Sequence, residues 1–375
     1  MKKIAFLGNT LWSMYNFRRH VICAIKAAGY DVVIFAPADT EYELAFQNLG
    51  IKCHVISMSR KSCNPLHDLW LYMKVLWCLH HERIDLLFCY TIKPNIWGGL
   101  AAATLHIPFI AFVCGLGHSM IRNGYLFRII KYLYTFSFRF AYEVWFINSD
   151  DRQIMEEHKI IRHEKSRLLK GEGIDCSRFS CSASCSERFV FLLSARMLWE
   201  KGIAEFVKAA GILKERYPDI RCQLLGFVDS GNPSGIPRET LELWSKDGCV
   251  EYLGSVSDVV PFVEAADCIV LPSYYREGIP FSLLEGAAAG KPLIAAQSPG
   301  CTEVVLENVT GFLCKPRDAE DLAEKMEKLL LLPLPERRKL GMLGRKLVEE
   351  TFSINKIIPQ YLQVISVVFS DQKQV

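Results

Sequence analysis

Short apolar runs alternate with longer amphipathic stretches along almost the whole chain. Residues 4–7 form an apolar run ended by Gly8. A loop over 9–16 follows, then helical periodicity to about Ala28, where Gly29 stops it, and a second apolar run over 31–35. Strand, loop, helix and strand within so short a stretch is the βαβ unit of a parallel sheet. The pattern continues with a helix over 41–49, a strand over 52–56, a strongly apolar helix over 65–81, and strands over 86–90, 109–113, 144–148 and 166–169. Residues 94–121 carry no charge, but Pro94, Gly98, Gly99, Pro108, Gly115 and Gly117 break them up. They read as a buried helix over 95–105, a turn and a buried strand, not as one membrane span.

A Gly- and Ser/Cys-rich segment over 171–187 interrupts the alternation and reads as a linker. Strands are then expected over 189–194, 222–226, 250–253, 268–271, 292–296 and 311–314. Helices are expected over 202–217, 238–246, 259–265, from about Thr302, over 319–331 and over 336–349. The chain thus predicts two consecutive α/β domains of doubly wound type, 1–170 and 188–352. A last helix over 353–375, interrupted near Pro359, follows. In such sheets ligands bind beyond the carboxyl ends of strands.

Composition adds one asymmetry. The net charge of +3 divides into +8 over residues 1–170 and −5 over 171–375. A basic half implies an anionic partner, with nucleic acid and membrane both open on charge alone. Between Leu86 and Tyr142 there is no acidic residue, while Lys93, Arg122, Arg128, Lys131 and Arg139 are basic and Tyr, Phe and Trp are interleaved. Such a segment suits an anionic bilayer surface; equally, it suits a core helix whose cations reach outward. The opening MKKIAFLG is too short for a secretory signal's apolar region, so fourteen cysteines imply a reducing compartment; no Cys-x-x-Cys pair occurs, and the cluster Cys176, Cys181 and Cys185 reads as free thiols in a loop. Gly8 stands without the Gly-x-Gly-x-x-Gly fingerprint, which counts against a nicotinamide or flavin enzyme.

Two stretches carry candidate chemistry. In YYREGIPFSLLEGAAAG (274–290), Glu277 lies on a loop and Glu285 in an Ala-rich helix begun by Gly278-Ile279-Pro280-Phe281. A helix start offers amide N–H groups and a positive dipole end to a phosphate. By themselves the two carboxylates fit a polyol site, an acid/base pair, or an ordinary loop charge and helix charge. In ARMLWEKG (195–202), Arg196 and Lys201 follow a strand and precede a helix, where two cations can hold a diphosphate.

Arg196 with Lys201-Gly202, the Gly173-Ile174-Asp175 turn, and Glu277 followed eight residues on by Glu285 resemble, in that order, the GT-B-fold retaining glycosyltransferases of the large GT4 group. NTLWSMYNFR (9–18), TIKPN (91–95) and GLG (115–117) are similar to the branch that extends undecaprenyl-diphosphate-linked sugars. That branch includes α-1,3-N-acetylgalactosaminyltransferases of surface polysaccharide assembly. The resemblance implies two Rossmann-like domains facing each other across a cleft, with the last helix crossing back to the first. It implies that Arg196 and Lys201 bind the donor diphosphate, helped by the backbone at Gly278, Ile279 and Phe281. Glu285 would hold ribose, and Glu277 the donor sugar. His118 would reach that sugar from the first domain.

Gly8, Asn9, Asn16, Arg18 and Lys93 would face the acceptor. The donor would be a nucleotide sugar, UDP-linked, with no metal required; no Asp-x-Asp occurs. The acceptor would be a sugar on a lipid diphosphate. The membrane, met through the 122–139 segment, and not nucleic acid would be the anionic partner, at the cytoplasmic face of the inner membrane. A soluble enzyme with a small acceptor and a non-enzymatic nucleotide-sugar binder are the alternatives. Two departures stand out: Asn9-Thr10-Leu11 replaces the Gly-Gly pair of many relatives, and Lys170-Gly171-Glu172-Gly173 replaces an Asn-Gly turn.

Overall fold

The computed structural model describes residues 1–58, 64–116, 125–181 and 188–372. The chain divides into two compact units, Met1–Gly173 with Ile354–Val375, and Ile174–Ser353.

Unit 1 runs β1 (Lys3–Leu7), α1 (Leu11–Ala27), β2 (Asp31–Ala36), α2 (Thr40–Asn48), β3 (Lys52–Val55), α3 (Pro65–His81) and β4 (Leu86–Tyr90). A π-helical turn (Pro94–Gly98) then leads into α4 (Gly99–Thr104), β5 (Phe109–Val113), α5 (Tyr125–Phe138), β6 (Glu143–Phe146), α6 (Ser149–Glu157) and β7 (Ser166–Leu168). All strand pairings are parallel, in the order β3-β2-β1-β4-β5-β6-β7. The central strands β1, β4 and β5 are buried on both faces, which explains their unbroken apolar runs.

Unit 2 runs β8 (Val190–Ser194), α7 (Ile203–Arg216), β9 (Arg221–Leu225), α8 (Arg238–Lys246), β10 (Glu251–Tyr252), α9 (Val260–Ala265) and β11 (Cys268–Leu271). It closes with α10 (Phe281–Ala288), β12 (Leu293–Ala296), β13 (Gly311–Cys314), α11 (Ala319–Leu331) and α12 (Leu334–Thr351). Its parallel sheet is ordered β10-β9-β8-β11-β12-β13. The final helix α13 (Ile354–Asp371) belongs to unit 1, where it packs on α1 and Tyr361 stacks on Phe112 with ring centroids 5.4 Å apart.

Both sheets reverse direction of growth at one point, between β1 and β4 in unit 1 and between β8 and β11 in unit 2. At such a switch point the connections leave on opposite sides, so the two strand ends frame an open crevice.

Three expectations need correction. The first loop is shorter than 9–16, because the Thr10 hydroxyl accepts from the Ser13 amide at 3.2 Å and caps α1, so Leu11 through Asn16 already lie on the helix. No helix forms from Thr302. There Gly300 turns at φ +81°, and the Thr310 hydroxyl ties Leu306 N and Val304 O into a closed loop. α13 runs through Pro359 unbroken, since burial of Ile357, Tyr361, Val364, Ile365 and Val368 outweighs the roughly 3 kcal/mol a helical proline costs.

Candidate functional site

The unit 2 switch point is built by two loops, Ala195 to Gly202 after β8 and Pro272 to Pro280 after β11. Gly202 lets them meet. It has φ +75°, and a Cβ there would sit 2.1 Å from the carbonyl oxygen of Pro272. A second close approach, Gly300 against the Gly278 carbonyl, fixes the β11 loop from its other side, where a Cβ would lie 2.1 Å from that oxygen.

Lys201 and Glu277 form an ion pair across the crevice, with side chains only 14% and 12% exposed. The Ser273 hydroxyl donates to the same Glu277 oxygen at 2.9 Å, and the Ser298 hydroxyl donates to the Ser273 carbonyl at 2.8 Å. The loops are further joined by the Tyr274 amide, which donates to the Glu200 carbonyl at 3.1 Å. A lysine held this way is a fixed positive charge beside a helix start. α10 begins at Phe281 with Pro280 as its N-cap, a residue whose side chain makes no capping hydrogen bond. Arg196 is more exposed and pairs with Asp229, on the loop after β9, at 3.5 Å.

Glu285 lies on the second turn of α10 and is half-buried. Burial pushes its carboxyl up to about 7; nearby Arg178 works against that shift and Asp258 adds to it. Arg178 and Asp258 pair with each other at 3.0 Å. The side chain of Ile279 is buried in the unit 2 core, while Gly278 and Phe281 are partly exposed. Ser273, Ser298, Asp229 and Arg178 were not singled out by sequence, and only Ser273, directly beyond a strand in Leu271-Pro272-Ser273, carried a positional signal.

In unit 1, Gly8 and Asn9 follow β1 and Lys93 follows β4, so they flank that unit's switch point. Lys93 pairs with Asp68 of α3 at 2.6 Å. Asn16 is exposed, and its amide donates to the Trp12 carbonyl at 3.0 Å. His118 and Arg122 lie outside the described residues.

Arg18 differs from the expectation of a phosphate-binding cation. It is 4% exposed, lies over the Tyr90 ring at 4.1 Å, donates to the Ser13 carbonyl at 3.1 Å, and pairs with buried Glu172. Burial works against its charge, and Glu172 more than offsets this, holding the guanidinium above its ordinary value. Glu172 lies in the Lys170-Gly171-Glu172-Gly173 stretch, and Arg18 is its buried ion-pair partner.

The comparisons agree with this architecture. Residues 3–148 match the family described as Glycosyl transferase 4-like, and residues 182–347 that described as Glycosyl transferases group 1. A relative from Campylobacter jejuni, N,N'-diacetylbacillosaminyl-diphospho-undecaprenol alpha-1,3-N-acetylgalactosaminyltransferase, is 32% identical over 346 residues, covering 88% of this chain and 89% of that protein. The capsular polysaccharide biosynthesis glycosyltransferase CapM of Staphylococcus aureus is 24% identical, covering 80% and 81%. Among solved structures, a glycosyltransferase from Rickettsia africae superimposes with a TM-score of 0.81 at 21% identity, covering 98% of both chains. HepE of Anabaena, in complex with UDP-glucose, does so with a TM-score of 0.80 at 19% identity, covering 98% of this chain and all of that one. The chain belongs to the GT4-like, group 1 glycosyltransferases of GT-B fold. It is a glycosyltransferase.

Proposed function

We propose that this enzyme moves an N-acetylhexosamine or hexose, with retention of anomeric configuration, from a UDP-sugar to a sugar carried on a polyprenyl diphosphate, working peripherally at the cytoplasmic face of the inner membrane. The observation that carries the donor half is Lys201, held by Glu277 beside the start of α10. A cation and helix amides at one point suit a diphosphate, and they stabilise the negative charge that develops as the nucleotide leaves. Arg196 adds a second cation from the same loop. In this reading the sugar takes over part of the Glu277 carboxylate, and Glu285 accepts from ribose hydroxyls. No metal is needed, because the charge is met by Lys201, Arg196 and the helix dipole. The acceptor half draws on the Campylobacter relative, which acts on an undecaprenol-diphosphate-linked sugar. Gly8, Asn9 and Lys93, at the unit 1 switch point, are the groups proposed to meet that acceptor, with His118 serving the donor sugar.

A panel of nucleotide sugars, scored by transfer to a polyprenyl-diphosphate sugar, tests the donor. UDP-linked sugars are expected to be used, activity is expected to survive EDTA, and NMR of the product should give the donor's own anomeric configuration. An inverted product or a strict metal requirement contradicts the mechanism.

Glu285 supplies a pH test. Its carboxyl titrates near 7 when folded, against an ordinary value of 4.5. The folded state therefore binds this proton more tightly than the unfolded chain. The group's stabilising contribution is complete below about pH 4.5 and is lost as pH rises through 7. Donor binding runs the other way, since the carboxylate is the better acceptor for ribose hydroxyls. UDP-sugar affinity is expected to rise as pH increases through about 7 and then level off. Glu285→Gln should flatten that rise and weaken binding about tenfold at pH 8. A profile unchanged by Glu285→Gln removes the residue from the donor site.

A further inference from the structure

Two exposed apolar stripes on unit 1 consist of residues to which no role in sugar transfer has been assigned. α3 buries Leu71, Val75, Cys78 and Leu79 on one side. Its other side carries Leu66, Leu69, Trp70, Met73 and Trp77, each more than half exposed. Steps of three and four residues make these one continuous stripe along the helix. Single exposed leucines or tryptophans are ordinary, but five on one helix face form a patch of the kind used for association.

α5 repeats the arrangement. Phe127, Tyr134 and Phe138 point into the core, while Ile129, Tyr132 and Phe136, with Phe140 just beyond, are exposed. α3 and α5 pack against the π-helical turn and α4 over the same core, so both stripes belong to the outer side of one helical layer.

Charge selects what this layer meets. The carboxylate of α3, Asp68, is tied to Lys93, and no acidic residue occurs between Leu86 and Tyr142. Lys74 lies over the Trp77 ring at 4.7 Å, and Arg128 and Arg139 are exposed beside the α5 stripe. Amphipathic aromatic rings bordered by cations match the boundary between acyl chains and anionic headgroups. A second copy of the same cationic face would meet repulsion instead. Among the described residues no helix is long and apolar enough to cross a membrane; an apolar stripe along one helix face suits contact in the plane of a surface.

We propose that α3 is the principal membrane-docking element, with Trp70 and Trp77 entering the interface of an anionic bilayer and α5 supporting it. The proposal rests on the reading of a lipid-linked acceptor, and it moves the contact beyond the 122–139 segment to a helix that the sequence shows only as strongly apolar.

The test is sedimentation of the full chain with vesicles of phosphatidylcholine containing phosphatidylglycerol. Trp70→Ala/Trp77→Ala is expected to lower the partition coefficient roughly 100-fold. Arg128→Ser/Lys131→Ser should lower it less, and only at low salt. Trp70→Phe/Trp77→Phe should keep binding while abolishing the extra quenching of tryptophan fluorescence by brominated lipid. Transfer to a short-chain, water-soluble acceptor, measured in parallel, should be unchanged in all three. Absence of that transfer in the wild type would count against the proposed reaction and leave the vesicle result to be judged alone. Unchanged partition of Trp70→Ala/Trp77→Ala would overturn the docking proposal. So would a wild-type chain that ignores vesicles but forms a dimer which the same variant breaks; that outcome assigns the face to a second copy.

Discussion

Lys201→Ala is expected to lower kcat/KM for sugar transfer by about 100- to 1000-fold, the loss typical when one preorganised charge-stabilising group is removed from a reaction centre. The side chain is held on the β8–α7 loop by Glu277, which is itself held by Ser273. In the proposed reaction, little reorganisation would then be required as negative charge develops on the leaving nucleotide. KM for the acceptor should be nearly unchanged, because Lys201 belongs to unit 2. Arg196→Ala should cost less, about tenfold, since its side chain is 42% exposed and its ion pair is screened by solvent. Lys201→Ala also strands Glu277, so the double variant Lys201→Ala/Glu277→Gln separates the two effects. Stability should recover in the double variant and activity should not. Steady-state kinetics with thermal unfolding measures both, and a Lys201→Ala enzyme within threefold of wild type would remove the residue from the mechanism.

Glu172→Ala should destabilise the protein by about 3–5 kcal/mol, the usual result of removing one partner from a buried ion pair. Arg18 would be left with its charge in a site where Tyr90, Tyr361 and Cys114 surround it and water does not reach. The Tyr90 and Tyr361 hydroxyls, 3.1 Å apart, are bonded to each other, and burial holds both well above their ordinary range. Neither supplies a negative charge in place of Glu172. Arg18→Met/Glu172→Leu, which removes both charges, should recover most of the loss. Urea denaturation of the full chain checks this. A cost below about 1 kcal/mol for Glu172→Ala would mean that the pair behaves as a surface one.

The alternation of strand and helix was legible because buried parallel strands read as short apolar runs and the helices between them as amphipathic ones. The sheet order was not legible. Lys201 and Glu277 each read as strand-end residues, yet their meeting depends on β8 lying beside β11, which no local pattern reveals. The burial of Arg18 was not legible, because its partner Glu172 lies far along the chain. Glu172 looked like a departure from a family turn, and its compensating partner is 154 residues away in sequence. α3 read only as strongly apolar, because a helix apolar on both faces gives the same signal as a fully buried one, and only its neighbours distinguish them. Glu285 was visible as a helix carboxylate, but its Arg178 and Asp258 surroundings came from elements far along the chain.

Transfer from a UDP-sugar to a lipid-diphosphate sugar is the central step of the proposed function. The most direct measurement follows labelled sugar from UDP-N-acetylhexosamine and UDP-hexose donors into two acceptors that differ only in the diphosphate, a polyprenyl-diphosphate sugar and the same sugar on an uncharged polyprenyl ether. Label entering the diphosphate acceptor alone, and absent with Lys201→Ala, is the predicted result. Equal labelling of both acceptors, or release of free sugar and UDP with neither labelled, would contradict it.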